Sequence, residues 1–335
     1  MSTRWSQAWV IGLAACVACG GGMESPAEEE ASLEKPAAPP TTINGRFAGT
    51  WELVRVDRYD ADDQLMPTAD PPGFGRDGTI GYITYDRAGY MGVVIMAPDR
   101  QPYSEDGPTP GEARASMADY ISYFGPYTVS ETDGYVTHHL IASRSPNGAG
   151  SDNQRSYEFN GDELTLRPPR GESGVQLALT WQRVPDAQLT PEQQSFVGFW
   201  QIKGVERRSA DGESMEVRQY ANGYIIYTAA GHMQVHLERP DRPRYTSSPP
   251  SDEELVAATR SYTSYFGPFS VDGNEELVTH ERVGSTTPSA GRQTPVEMPR
   301  NYEFRDNLLI LSPVTATPES AAARSYLSWE RIGGD

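Results

Sequence analysis

Two histidines occupy equivalent places in this sequence and are of a type that could do chemistry. His138 and His280 each follow a Val-Thr pair, and their positions differ by 142. Residues two positions apart on a strand share a face, so each histidine shares its face with that valine. An imidazole that faces inward could bind an acidic or carbonyl ligand, or act as an acid or base. It could equally be a hydrogen-bonded residue of the core.

Two arginines repeat in the same way beside aromatic residues. Arg155 and Arg300 each begin an Arg-x-Tyr-x-Phe alternation. An arginine on an apolar face is costly unless it is paired, and its forked guanidinium suits a ligand carboxylate. A structural ion pair, or exposure at a strand end, is the favoured alternative. Four tyrosines are candidates for lining a cavity, with packing as the alternative: Tyr85, Tyr123, Tyr227 and Tyr265.

Metal sites and the common nucleophilic motifs find no support in the sequence. His232, His236 and His280 could be zinc ligands, but residues four apart on a strand have Cα atoms about 13 Å apart. Ligands of one zinc place their nitrogens about 2 Å from the metal, so we expect no metal site. The chain has no Gly-x-Ser-x-Gly, His-Glu-x-x-His or glycine-rich phosphate loop. We therefore assign no catalytic residue and no cofactor.

The N-terminus has the features of an export signal with a lipid attachment site. An apolar run over residues 8–15 is too short to span a bilayer as a helix. The run ends in Leu-Ala-Ala-Cys, which is typical of a bacterial lipoprotein signal, so residues 1–15 form the expected signal and Cys16 the acylated residue. Cys19 is the alternative, and an ordinary secretory signal is another. Neither cysteine precedes an aspartate, so in a Gram-negative host we expect the outer membrane.

Composition predicts a tether after the signal and argues against two classes of partner, nucleic acids and anionic membrane surfaces. Residues 16–44 are acidic and rich in proline and alanine, which predicts a disordered tether that holds the rest away from the membrane. The net charge is −18, and the chain has no long basic cluster. These features argue against binding to nucleic acid or docking on an anionic membrane surface. The excess of acidic residues is explained by the solubility that it gives the protein.

Beyond the tether the chain is a tandem duplication. Residues 122–126 and 264–268 both read Ser-Tyr-Phe-Gly-Pro, and the two Pro-Asp-Arg loops end in Arg100 and Arg242, again 142 positions apart. A repeat of this length is a whole domain. We therefore expect one unit over residues 45–184, a linker over 185–195 and a second unit over 196–335. The two loop arginines are expected to brace the ends of these units.

Turn residues and alternation predict the elements of each unit. Short strand-like runs separated by Asp-Gly, Asn-Gly and similar turns give about eight strands joined as hairpins, which is an antiparallel meander. Helical spacing predicts one helix in each unit, over Glu112–Phe124 and Glu254–Phe266, ended by Gly-Pro. Each unit opens with Gly-x-Trp and closes with Trp-x-Arg, which suits a sheet that closes on itself.

These motifs together resemble the bacterial lipocalin-like domain family. Gly-x-Trp, a Gly-Tyr-Met hairpin (Gly-His-Met in the second unit), Tyr-x-x-Tyr-x-Gly, Val-x-His, Arg-x-Tyr and Trp-x-Arg follow one another in both units, roughly over residues 45–184 and 195–332. The resemblance implies an all-β chain of two tandem up-and-down barrels, each with one inserted helix and a possible internal cavity. It does not imply one chemistry. His232 stands where the first unit has Tyr90, so equal ligand affinity in the two units is not expected.

Three functional hypotheses remain open at the level of sequence. The first is an envelope lipoprotein that binds a small hydrophobic or amphipathic molecule in one or both barrels. The second is an isomerase, cyclase or hydratase that uses His138 or Tyr85 as acid or base. The third is a structural or partner-binding envelope protein. The linker is short and contains a predicted helical turn at Pro191–Gln194, so we expect the barrels to pack together.

Overall fold

A computed structural model describes most of the two repeated units. The described residues are 45–67, 75, 77–209, 211–215, 217, 219–288, 296–314 and 323–332. The predicted signal and tether, with Cys16 and Cys19, lie outside the described residues.

The first unit is a closed antiparallel barrel in which each of eight strands pairs with the next and the last pairs with the first. Its strands are β1 Gly49–Tyr59, β2 Ile80–Tyr85, β3 Tyr90–Met96, β4 Tyr120–Ser130, β5 Tyr135–His139, β6 Ala142–Ser143, β7 Asp152–Asn160, β8 Glu163–Arg167 and β9 Gln176–Val184. The short β6 pairs with β4 and is not one of the eight. Closure leaves the barrel without a free sheet edge.

The second unit repeats this barrel. Its strands are β10 Gly198–Ser209, β11 Ser214–Met215, β12 Asn222–Tyr227, β13 His232–Glu238, β14 Tyr262–Asp272, β15 Leu277–Arg282, β16 Gly284–Ser285, β17 Val296–Arg305, β18 Leu308–Pro313 and β19 Ala323–Ile332. The short strands β11 and β16 pair with β10 and β14 and add to the eight that close. The predicted fold class, two tandem up-and-down barrels, is confirmed.

Among the described residues three α-helices accompany the barrels: α1 Pro110–Ala118, α2 Pro191–Phe196 and α3 Asp252–Arg260. Each begins with a capping box, in which the Thr109, Thr190 or Ser251 hydroxyl accepts a hydrogen bond from the backbone three residues on. The helical turn predicted in the linker is confirmed as α2. A short 3₁₀ helix covers Pro146–Gly148.

The predicted ends of the two inserted helices were wrong. The helix of the first unit ends at Ala118 and β4 begins at Tyr120, and the second unit does the same at Arg260 and Tyr262. The Gly-Pro pair lies inside the strand and does not stop a helix. A Cβ on Gly125 would lie 1.9 Å from the carbonyl oxygen of His139, so the glycine permits a close approach of two chain segments.

One end of each barrel is closed by an aromatic plug. In the first barrel Trp51 Nε1 donates to the carbonyl of Phe47, 2.8 Å away, and the Arg183 guanidinium lies 4.0 Å above the Trp51 ring. The ring of Phe47 is fully buried and packs edge-on against Tyr85 and Tyr157. The second barrel repeats the arrangement with Phe196, Trp200 and Arg331 as the corresponding residues.

The two barrels pack against each other through the outer faces of β3 and β4 and of β12, β13 and β14. A buried apolar cluster joins Tyr90 and Phe124 of the first barrel to Phe199, Tyr224 and Ile226 of the second. Helices α1 and α3 also lie side by side. The outer faces of these strands are therefore buried as their inner faces are, and they carry buried polar residues such as Ser122, Gln234 and His236 among the apolar ones.

Polar contacts cross this interface in a nearly symmetric pattern. Arg100 donates to the carbonyls of Ser285 and Thr286, and Arg242 donates to those of Ser143 and Arg144. The loop arginines thus brace the neighbouring barrel as well as their own.

The centre of the interface departs from symmetry. A Cβ on Gly92 would lie 3.2 Å from Oε1 of Gln234 and 2.6 Å from Cδ1 of Ile226. Gly92 and Gln234 occupy equivalent positions of the two units. The small residue of one unit therefore makes room for the large residue of the other.

Candidate binding site

A histidine held between two tyrosines lies inside the first barrel. His138 on β5 is 1% exposed. The hydroxyl of Tyr85, at the end of β2, lies 2.8 Å from Nε2, and that of Tyr123 on β4 lies 3.0 Å from Nδ1. Three candidate residues, spread over some fifty positions of sequence, thus form one hydrogen-bonded group.

The second barrel carries the same group with nearly the same geometry. Tyr227 places its hydroxyl 2.7 Å from Nε2 of His280, and Tyr265 places its hydroxyl 3.0 Å from Nδ1. We refer to each set as a Tyr–His–Tyr group: Tyr85, His138 and Tyr123 in the first barrel, and Tyr227, His280 and Tyr265 in the second.

Burial keeps both groups neutral. Desolvation lowers the pKa of His138 well below its usual value, and the nearby positive charge of Arg155 adds to this. For the same reasons the pKa of His280 falls to about 3. A neutral imidazole has one N–H and one lone pair, so one tyrosine accepts a hydrogen bond from it and the other donates. Burial also raises the pKa of Tyr85 well above its usual value, which keeps its hydroxyl protonated.

Each group has an arginine beside it. The charge of Arg155 acts on Tyr123, His138 and Tyr85, and Arg300 acts likewise in the second barrel. Arg155 donates to the carbonyl of Gln154 at 2.9 Å, and Arg300 to that of Pro299 at 3.0 Å. Within the described part of the chain neither arginine forms an ion pair, so of the two alternatives favoured from the sequence, a structural ion pair and exposure at a strand end, the ion pair is not found there.

The arginines lie toward the end of the barrel opposite the aromatic plug. β1 begins at the plugged end, and β7 runs antiparallel to it as the sixth barrel strand. Arg155 is near the start of β7 and is only half-buried. In the β5–β7 pairing Asn153 lies opposite His138 and Arg155 lies opposite Val136, so Arg155 is close to the Tyr–His–Tyr group.

His232 and His236 lie apart from these groups. His236 is on the outer face of β13, where Nδ1 lies 2.9 Å from the Ser122 hydroxyl across the interface. His232 lies on the same outer face, with its ring 4.6 Å from that of Tyr82. Among the residues that the structure describes, no three His, Cys, Asp or Glu side chains are placed to hold a metal ion. No helix within those ranges has the length and apolar character needed to cross a membrane.

Comparison with known proteins settles the family. Residues 48–184 and 197–332 each match the model of a lipocalin-like domain. The chain belongs to the lipocalin-like domain family. The resemblance seen in the sequence motifs is thereby confirmed, and each barrel is one lipocalin-like domain. No curated protein matches the chain.

Solved structures similar to this one are distant in sequence. A lipocalin-like protein from Bacteroides uniformis is 12% identical, with 42% of this chain and 99% of that chain covered and a TM-score of 0.23. A protein of unknown function of the DUF3598 family from Nostoc punctiforme is 10% identical, with 86% and 97% covered and a TM-score of 0.20. Transferrin binding protein B from Neisseria meningitidis is 8% identical, with 85% and 76% covered and a TM-score of 0.22.

Two surface clefts lie outside the interiors of the lipocalin-like domains. One, of about 650 Å³, is lined by α3, the Arg242 loop and Pro108 and Pro110 of the first domain. The other, of about 460 Å³, lies between α2 and the β14–β15 turn at the rim of the second domain. Sequence reasoning looked for ligand residues inside the barrels and did not identify either cleft, because both are formed by segments far apart in the chain.

Proposed function

We propose that this protein is a lipid-anchored envelope protein whose lipocalin-like domains bind a small, partly hydrophobic molecule. The observation that carries the proposal is the Tyr–His–Tyr group with its neighbouring arginine, which is repeated inside both domains. The signal-like N-terminus with Cys16, or alternatively Cys19, supports the anchor.

The arginine end of each barrel suits a ligand with an acidic or carbonyl group. The guanidinium of Arg155 matches a carboxylate in shape and charge, and no described carboxylate already occupies it. Near it, the hydroxyl of Tyr123 can make a hydrogen bond in addition to the one it shares with His138. Partly buried apolar side chains at the edge of the core would pack on the hydrocarbon part, and these include Val56, Ile121 and Leu179.

Binding requires side chains at this end to move, because the core behind them is filled. Phe47 and Trp51 occupy the plugged end, and His138 is almost inaccessible to solvent. Tyr123 and Arg155 are the residues that a ligand would displace or re-pair first. We therefore expect a ligand to bind beside Arg155 and Tyr123 and to change the environment of Tyr123.

Native mass spectrometry of the protein purified without its signal tests the proposal. We expect a retained small molecule, and we expect a fluorescent fatty acid to compete with it. Replacing both interior arginines (Arg155→Met and Arg300→Met) removes the charged partner and should weaken binding at least tenfold, about 1.4 kcal/mol.

The matched control removes two surface arginines, Arg167→Met and Arg305→Met. Both form exposed ion pairs with neighbouring glutamates, and Arg305 is on the same strand as Arg300. Binding should be unchanged in this control. Absence of any retained molecule together with no binding of the probe, or an equal loss in both double variants, would reject the proposal.

A rigid scaffold that binds another envelope protein is the second candidate. The observation in its favour is that the domains form one packed body with clefts on its outer surface. Co-purification with a defined envelope protein, lost when the cleft residue Val256 is replaced by Arg and kept in the double variant Arg155→Met, Arg300→Met, would favour this function over ligand binding.

A further inference from the structure

Two arginines of the first domain converge on one buried serine at the interface. Arg144 donates to the hydroxyl of Ser116 on α1 at 2.7 Å, and Arg100 donates to the same oxygen at 3.2 Å. These two bond lengths place the Nη2 atoms no more than about 6 Å apart. Both guanidinium carbons also lie near the Tyr120 ring, 5.2 and 5.3 Å from its centre.

Several N–H groups of this pair lack a partner. Arg144 is 2% exposed, yet its Nε and Nη1 donate no hydrogen bond within the described structure, and the same holds for Nε of Arg100. A buried guanidinium normally has its donors satisfied, because unpaired buried donors are costly. The pair is therefore an incomplete polar site.

No carboxylate within the described ranges forms a hydrogen bond or ion pair with either guanidinium. The charge of Asp119 raises the pKa of Arg100, although burial, which acts in the opposite direction, is the larger effect. The Tyr103 hydroxyl donates to Ser116 at 3.1 Å, and Tyr103 and Tyr245 both lie near Arg144. Burial, followed by the charge of Arg100, lowers the pKa of Arg144 to about 10.

The second domain shows how the same place is neutralised. There Glu238 forms a buried ion pair with Arg242, at 3.2 Å. The position equivalent to Glu238 in the first domain is Met96, and the position equivalent to Arg144 in the second domain is Thr286. One domain thus has one arginine with one glutamate, whereas the other has two arginines and a methionine.

We propose that a small inorganic anion of halide size binds between Arg100 and Arg144, beside Ser116, and takes the place that Glu238 fills in the second domain. The close spacing of the two guanidiniums and the burial of Arg144 leave no access for a large ligand. Because Arg100 also holds the carbonyls of Ser285 and Thr286, the anion stabilises the contact between the two domains.

Chloride is the probe for this site. Chloride-35 NMR line width is measured on the full chain while chloride replaces gluconate at constant ionic strength. We expect saturable broadening in the natural protein. Arg144→Thr, which copies Thr286, removes one guanidinium, and Met96→Glu, which copies Glu238, supplies an internal carboxylate. Each should reduce the saturable broadening by more than half.

A control and a second measurement keep the outcome interpretable. Arg305→Thr removes an exposed guanidinium and should leave the broadening unchanged. Chloride should raise the melting temperature of the natural protein by several degrees and leave that of Met96→Glu unchanged. Broadening that does not saturate in the natural protein, or that is equal in the natural protein and Met96→Glu, would overturn the proposal.

Discussion

Burial lowers the pKa of three histidines that lie in different parts of the molecule. His138 and His280 are inside the barrels and His236 is at the interface, and each is almost completely buried. Each has hydrogen-bond partners at both ring nitrogens; for His236 these are Ser122, Tyr262 and Gln234. Burial lowers the pKa of His236 and His280 to about 3 and that of His138 well below its usual value.

Acid should therefore destabilise the protein at pH values well above the pKa of its surface carboxylates. The unfolded chain binds protons at these histidines below about pH 6.5, whereas in the folded chain His236 and His280 stay neutral down to about pH 3 and His138 stays neutral well below pH 6.5. The contribution of these histidines to the free energy of unfolding is thus fully present above about pH 6.5 and is lost as the pH falls. Asp86 opposes this, since burial raises its pKa to about 6 and the folded state gains protons first. The expected net loss between pH 6 and 5 is about 2 to 3 kcal/mol per pH unit.

Urea unfolding at pH 7, 6 and 5 measures this slope. Replacing one titrating group, as in His138→Gln, should reduce the slope by about 1.4 kcal/mol per pH unit, the value for one proton. Repeating the series at about 0.5 M salt screens the surface carboxylates but not buried groups. A slope that vanishes in high salt would assign the effect to the surface and contradict the prediction.

Residue types and spacing predicted the Tyr–His–Tyr groups only in part. The 142-residue repeat identified His138 and His280 and the four tyrosines, because both copies keep them. It could not show that Tyr85 and Tyr123 meet on one imidazole, since that depends on how far the strands are staggered around the barrel. Arg144 was missed for a simpler reason: its equivalent is Thr286, so comparison of the two copies hides it.

At the level of elements, β4 shows why a strand can resemble a helix in sequence. Ile121 and Tyr123 face the barrel interior, whereas Tyr120 and Phe124 face the second domain. A strand with one solvent-exposed face alternates apolar and polar residues, but both faces of this strand are buried. Its apolar residues therefore fall at neighbouring positions, and the sequence alone contains no sign of the covering domain.

The glycine inside β4 gives a direct test of this element. Gly125→Ala places a Cβ 1.9 Å from the carbonyl oxygen of His139, which is backbone and cannot rotate away. We expect a loss of about 3 kcal/mol or more in the free energy of unfolding. Thermal or urea unfolding followed by circular dichroism measures it.

Gly111→Ala is the matched control, because a Cβ there meets nothing within 4 Å. Gly111 is in the first turn of α1, where alanine should be neutral or stabilise by up to about 1 kcal/mol. Equal free energies of unfolding for Gly125→Ala and Gly111→Ala would contradict this prediction. Such a result would mean that β4 can move away from the β5–β6 connection without loss of stability.

At the scale of the whole molecule, the two domains form a single body that resembles an asymmetric dimer. Equivalent strands meet across the interface, and equivalent arginines reach across it in both directions. The short linker predicted proximity, but the pairing of Gly92 with Gln234 follows from packing that only the folded structure reveals.

Replacing Gly92 with a larger residue should disrupt the interface between the two domains. Gly92→Gln gives the first domain the residue of the second and brings two large side chains into one space, because a Cβ at Gly92 already lies 2.6 Å from Ile226. We expect a loss of about 2 kcal/mol or more, a larger radius of gyration in small-angle X-ray scattering and faster proteolysis of the linker. Gly111→Gln, on the exposed start of α1, should leave all three unchanged. A compact and fully stable Gly92→Gln variant would contradict this account of the interface.

The contact between Gly92 and Gln234 also bears on the history of the chain. Two copies of the first domain paired in this way would set glycine against glycine and leave a gap, and two copies of the second would set glutamine against glutamine. Neither half now serves as its own partner. A larger residue at position 92 is therefore expected only together with a smaller residue at position 234.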